Sequence, residues 1–145
     1  MNIPFFLPRG IRNNNPGNIR LSPAKWRGQK AEQHDTAFVE FESPLMGLRA
    51  LMILLLTYHR KHGLDTVESI INRYAPPHEN ATDHYTHSVA KALGVRRREK
   101  IELGDENTLA GLARAIVRHE NGAGAGEWYP AETYQQAARL ALHKE

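Results

Sequence analysis

The sequence predicts a mainly α-helical protein of the α+β class, with one small β-hairpin region. Three observations carry that expectation. Leu109, Leu112, Ala113, Ile116 and Val117 recur at the spacing of one helix face. Leu51–Leu56 reads LMILLL, apolar on every side, as a central buried helix does. Residues 12–42 instead combine a run of turn formers with the strand-like Phe38-Val39-Glu40-Phe41.

Taken in order, Pro4-Phe5-Phe6-Leu7-Pro8 reads as an extended stretch of an N-terminal arm, residues 1–12. Arg12-Asn13-Asn14-Asn15-Pro16-Gly17-Asn18 follows. Asn side chains bond nearby backbone and tolerate positive φ, so a tightly cross-braced loop is expected. Ile19-Arg20-Leu21 is a possible short strand, and Trp26-Arg27-Gly28 a turn with an exposed-edge tryptophan. Ser43-Pro44 is an N-cap with proline at the first helical position, and Gly63 ends that helix after His62. Asp65 opens a helix to about Tyr74, stopped by Pro76-Pro77. Asn80-Ala81-Thr82-Asp83 starts the next, closed near Gly94. Asn107 is the expected cap of the Leu109–Glu120 helix, which Asn121-Gly122 stops. The glycine-rich Gly122–Gly126 leads to Trp128-Tyr129-Pro130 and a last helix, Ala131–His143. No linker divides the chain, so residues 1–145 are expected to form one domain.

Composition excludes several chemistries. The hydrophobic fraction of 41% is ordinary for a globular protein. Nineteen Lys and Arg against sixteen Asp and Glu give a net charge of +3, which suits an anionic polymer such as cell wall or nucleic acid. No cysteine is present, so disulfides and thiol catalysis are excluded. No apolar run approaches a membrane span, and Asn2–Pro8 is too short and lacks the basic region of a signal peptide. The expectation is synthesis in the cytoplasm and delivery by other means. Arg96–Arg98 with Lys100 has no interleaved aromatics, so it reads as a solvated face rather than a nucleic-acid site.

Metal and cofactor chemistry is not expected. His-Glu occurs at His78-Glu79 and His119-Glu120, but the second histidine of a zinc protease would fall on Thr82 or Ala123. His59/His62 and His84/His87 offer two ligands each, which do not make a site. There is no nucleophile elbow and no phosphate cradle.

Carboxylates and aromatics remain. The apolar stripe ending in Val117 continues onto Glu120, placing a carboxyl group on the buried side of the last helical turn. Apolar surroundings favour the protonated carboxyl, the form that donates a proton to a leaving oxygen in glycoside cleavage. Glu32 and Asp35 sit in the polar turn before Phe38, whereas Glu40 and Glu42 are expected on a solvated strand face. Trp26, Tyr74, Tyr85, Trp128 and Tyr129 could offer flat surfaces to sugar rings.

Several segments, in order, carry a family resemblance: Asn14-Asn15-Pro16-Gly17-Asn18-Ile19-Arg20, Trp26-Arg27-Gly28, Phe38-Val39-Glu40-Phe41 and the long helix. Tyr74-Ala75 and Ala81-Thr82-Asp83-His84-Tyr85 extend it, interrupted by Pro76–Asn80. This order resembles the N-acetylglucosaminidase family of bacterial autolysins and flagellar wall hydrolases. In that family the helix bearing the catalytic Glu precedes the Asn-Asn motif. Here the matching helix, Ala115-Ile116-Val117-Arg118-His119-Glu120-Asn121-Gly122, lies near the other end. The resemblance thus implies a circularly permuted lysozyme-like fold. The opening residues also resemble small phage virion proteins.

The resemblance implies that Glu120 is the general acid and that Tyr85 orients substrate or water. It places a second carboxylate in the hairpin, Asp35 in preference to Glu32. Asn13, Asn14 and Asn15 would brace the site, with Trp26, Tyr74 and Trp128 along the sugar path. Peptidoglycan glycan strands are the implied substrate, in the periplasm or wall, with virion or secretion-machine components as delivery partners and no membrane insertion. Hydrolase and lytic transglycosylase remain open, as does a non-catalytic virion or wall-binding protein. The Glu120 helix is expected to pack on Leu48–Leu56, with the hairpin region flanking a cleft.

Overall fold

The computed structural model describes residues 7–75 and 80–143, and helices carry most of them. They are α1 (Arg9–Arg12), α2 (Pro44–His62), α3 (Val67–Tyr74), α4 (Asn80–Leu93), α5 (Glu106–Asn121) and α6 (Ala131–His143), with a short 3-10 turn at Ala123–Glu127. Pro4–Phe6, Pro76-Pro77 and His78-Glu79 lie outside the described residues.

The boundaries of α2 are the ones its local signals dictate. Ser43 accepts a hydrogen bond from the Met46 N–H, Pro44 opens the helix, and Gly63 closes it in the left-handed region at φ 67°. Two other caps differ from expectation by one or two residues. Thr66, not Asp65, caps α3, because its hydroxyl and that of Ser69 form a reciprocal capping box. Asp105, not Asn107, caps α5 and accepts from the Thr108 N–H at 2.9 Å. Asn107 lies inside the first turn, and its side chain accepts from Gln135 on α6.

The main core unites all six helices. Leu48, Leu51, Met52 and Leu55 of α2 are fully buried, with Leu109, Leu112 and Ile116 of α5 and Ala137, Ala138 and Ala141 of α6. Helix α2 packs on α6 and also on α5, so the expected contact between the two most apolar stripes is present. Removing any of these leucine side chains would cost about 2–5 kcal/mol. The small residues on α6 let its backbone come close to its neighbours.

The expected hairpin forms only isolated antiparallel bridges, Arg20 with Phe38 and Gln29 with Phe41. The segment 37–42 lies between residues 19–21 and 28–30, exchanging two backbone bonds with each. Side-chain amides take the places that ladder bonds would otherwise fill. Asn15 donates to the carbonyls of Ile19 and Val39, Asn14 to that of Phe41, and Gln33 to those of Lys30 and Glu40. Val39 and Phe41 point inward together with Ile19 and Ala50, forming a second, smaller core beside α2.

Candidate functional site

The loop Asn13–Asn18 positions the site, and its asparagines do most of the holding. Asn14 and Asn18 adopt positive φ, 53° and 52°, a conformation that asparagine tolerates better than most residues. Gly47 on α2 lets the loop lie directly on the helix, since a β-carbon there would overlap the Asn14 carbonyl oxygen. Asn121, at the end of α5, donates to the Pro16 carbonyl at 2.7 Å, and the Tyr74 hydroxyl of α3 donates to the Gly17 carbonyl. The loop is thereby fastened to α2, α3 and α5.

Glu120 occupies the last turn of α5 and is half-buried, as the apolar stripe predicts. The Asn18 amide donates to its Oε1 at 3.1 Å, and the Tyr85 hydroxyl, from α4, to its Oε2 at 3.0 Å. Three elements far apart in sequence thus meet on one carboxyl group. Burial and then the charge of Glu120 push the Tyr85 and Tyr74 hydroxyls above the ordinary tyrosine value, so both keep their protons and remain donors. His119 stacks on the Tyr85 ring with centroids 3.6 Å apart, and burial holds it below the ordinary histidine value, against the pull of Glu120.

Glu120 opens into a cleft of about 460 Å³, lined by Gly17–Arg20, Phe38, Leu54, Tyr58 and Arg73–Ala75. It is the one carboxylate among the described lining residues. A larger, basic hollow of about 850 Å³ lies beside α4, but its carboxylates, Glu68 and Asp83, are paired with arginines.

The structure brings Glu120, Tyr85 and Tyr74 together and uses Asn13, Asn14 and Asn15 as braces. It places the other expected site residues elsewhere. Asp35 does not line the cleft. Arg9 grips it through both carboxylate oxygens at 2.5 and 2.6 Å, Asn13 donates to it, and the N–H groups of Ala37 and Phe38 cap it. The Arg9 guanidinium chiefly, helped by these donors, holds Asp35 well below the usual carboxylate range. Glu32 is exposed and, among the described residues, meets only His34, at 3.7 Å. Trp26 packs in the smaller core and Trp128 is 48% exposed, both away from the cleft lining.

Of the groups expected to be solvated, Glu42, Arg96, Arg98 and Lys100 are exposed as expected, and Glu40 is engaged instead. Glu40 accepts from the N–H groups of His34 and Asp35, which outweigh its burial and hold it below its ordinary value. Arg97 pairs with Glu68 and Asp83, and Arg98 pairs with Glu68. Asn18, Asn121, Arg20, Arg73 and Tyr58 were not singled out as site residues. Asn18 had a local signal, as a turn former, but its partner lies 102 residues away. Nothing near Arg73 in sequence marks it as a cleft residue.

The fold and site define a small, mainly helical protein in which a braced asparagine loop holds a carboxylate at the edge of a cleft. No known family model matches the chain. Protein P5 of Pseudoalteromonas phage PM2 is 39% identical to it over 118 residues, covering 79% of this chain and 72% of that protein. The chain belongs to the family of that phage protein. No helix among the described residues is long and apolar enough to cross a membrane.

Proposed function

We propose that this protein cleaves peptidoglycan glycan strands through a permuted lysozyme-like site, with Glu120 as general acid. The observation that carries this reading is a half-buried carboxyl group, held by two neutral donors and opening into a cleft. A neighbouring cation favours the charged carboxylate and so opposes the protonated form that a general acid needs, and no cation grips this carboxyl group among the described residues. Glu120 protonates the glycosidic oxygen as the bond to the anomeric carbon breaks.

The described cleft offers no second carboxylate to activate water, which favours attack by the substrate itself. The acetamido oxygen can close on the anomeric carbon, to be released later by water. Alternatively the sugar's 6-hydroxyl attacks and returns its proton to Glu120, leaving an anhydro sugar. The phage relative supports delivery by a virion.

The test is turbidity loss of purified sacculi with wild type and Glu120→Gln, followed by mass spectrometry of the released fragments. Clearing by the wild type alone, with anhydro or reducing ends, supports the proposal. A wild type that binds sacculi and clears none points instead to a non-catalytic virion or wall-binding protein, which the phage relationship also accommodates.

A further inference from the structure

Two arginines face the same cleft as Glu120 without a charge partner. Arg20 follows the asparagine loop, and Arg73 sits in the last turn of α3. The Arg20 guanidinium stands 5.0 Å over the Phe38 ring and that of Arg73 5.3 Å over Tyr58. Cation–π attraction orients a guanidinium without neutralising it. Neither arginine makes an ion pair or side-chain hydrogen bond among the described residues. Other arginines do pair with carboxylates, among them Arg9 with Asp35, Arg97 and Arg98 with Glu68, and Arg139 with Glu106, while Arg12, Arg27, Arg49 and Arg60, like the two in the cleft, make no ion pair among the described residues. The cleft therefore presents two oriented, unspent cations beside a single carboxylate.

A neutral glycan offers such cations hydroxyl and carbonyl oxygens but no negative charge. Guanidinium groups match carboxylates, donating two parallel N–H bonds to the two oxygens. Peptidoglycan differs from a neutral aminosugar polymer in the carboxylates of its lactyl-linked stem peptides. Resting on the function proposed above, we infer that Arg20 and Arg73 form a subsite for stem-peptide carboxylates. The substrate is then the peptide-bearing strand rather than the bare glycan.

Binding tests this separately from cleavage. Calorimetry at low ionic strength would compare Glu120→Gln protein binding a peptide-bearing tetrasaccharide of the wall with the same fragment whose carboxyl groups have been converted to amides. The acidic form should bind about tenfold more tightly, and added salt should erase the preference. Adding Arg20→Gln and Arg73→Gln should remove the preference, whereas Arg20→Lys and Arg73→Lys should restore part of it. Circular dichroism would check that each variant is folded. Equal binding of acidic and amidated fragments, binding of neither, or a preference that survives the double glutamine variant would overturn the subsite. Wild-type protein that prefers the acidic fragment yet clears no sacculi would overturn the cleavage reading and leave the subsite standing.

Discussion

Asp35 and Glu120 are held by opposite ends of one loop. Asn13 donates to Asp35 and Asn18 to Glu120. Around Asp35 the remaining positions are taken by a guanidinium and two backbone N–H groups. Around Glu120 they are taken by one tyrosine hydroxyl and an open cleft. A carboxylate gripped by a permanent cation stays charged over a wider pH range and here serves as a bracket. A general acid must carry a proton to give, so a neighbouring permanent cation works against that role. The functional group is the same in both places; the company differs.

The largest expected effect separates the two directly. Glu120→Gln should lower sacculus clearing by about 10²–10⁴-fold, the usual contribution of a general acid. Its melting temperature should stay within a few degrees of wild type, because Gln keeps the shape and an acceptor oxygen. Asp35→Asn should retain more than about a tenth of the clearing per mole of folded protein. Equal losses of clearing in both variants would dissolve the contrast.

Stability should show the reverse order. Asp35 is 8% exposed at its side chain, but its partner Arg9 is 46% exposed, so solvent screens part of the pair. Asp35→Asn should cost about 2 kcal/mol, read as a drop of roughly 4–8 °C in Tm. The sign with pH follows from the lowered folded value of Asp35. Its contribution is fully present above the unfolded value near 3.9 and is lost as pH falls from there through the lower folded value. Thermal melts between about pH 5 and 2 should therefore be steeper for wild type than for Asp35→Asn.

Much of this contrast was illegible in the sequence, for reasons of distance. Helix α2 could be bounded to the residue because Ser43, Pro44 and Gly63 act within one turn of its ends. The apolar stripe of α5 also delivered Glu120 to the cleft, since helical periodicity is local. The caps of α3 and α5 were less certain because adjacent residues compete: Asp65 with Thr66, and Asp105 with Asn107. The hairpin region misled because Asn14, Asn15 and Gln33 satisfy backbone groups that a strand ladder would have satisfied. The pairing of Arg9 with Asp35 spans 26 residues and leaves no periodic trace. Asp35 therefore read as a free carboxylate when it is a bound one.

A moderate effect should come from the donors to Glu120. Asn18→Ala and Tyr85→Phe each remove one hydrogen bond to its carboxyl oxygens. Each should lower clearing by about five- to thirtyfold, about 1–2 kcal/mol of barrier. Tyr85→Phe keeps its ring against His119, so it should hold its stability better than Asn18→Ala, which also loosens the loop. Steady-state clearing rates with parallel melts would separate the two. A pair of variants with wild-type rates would show that these donors do not tune the acid.

The smallest effect is expected at Glu32. Its side chain is 86% exposed, and its partner His34 is 75% exposed and 3.7 Å away. A pair so open to water is screened by salt and contributes little. Glu32 is also absent from the described lining of the cleft. Glu32→Gln should thus clear sacculi within about twofold of wild type and melt within about 2 °C of it. The same variant sharpens the choice of nucleophile. If Glu32 activates water, removing its charge should cost tenfold or more, roughly 1.4 kcal/mol, and the loop carrying it would have to close over the cleft during turnover. A loss of that size would restore a hairpin carboxylate to the mechanism. Activity at the wild-type level leaves Glu120 and the substrate's own groups to carry out the cleavage.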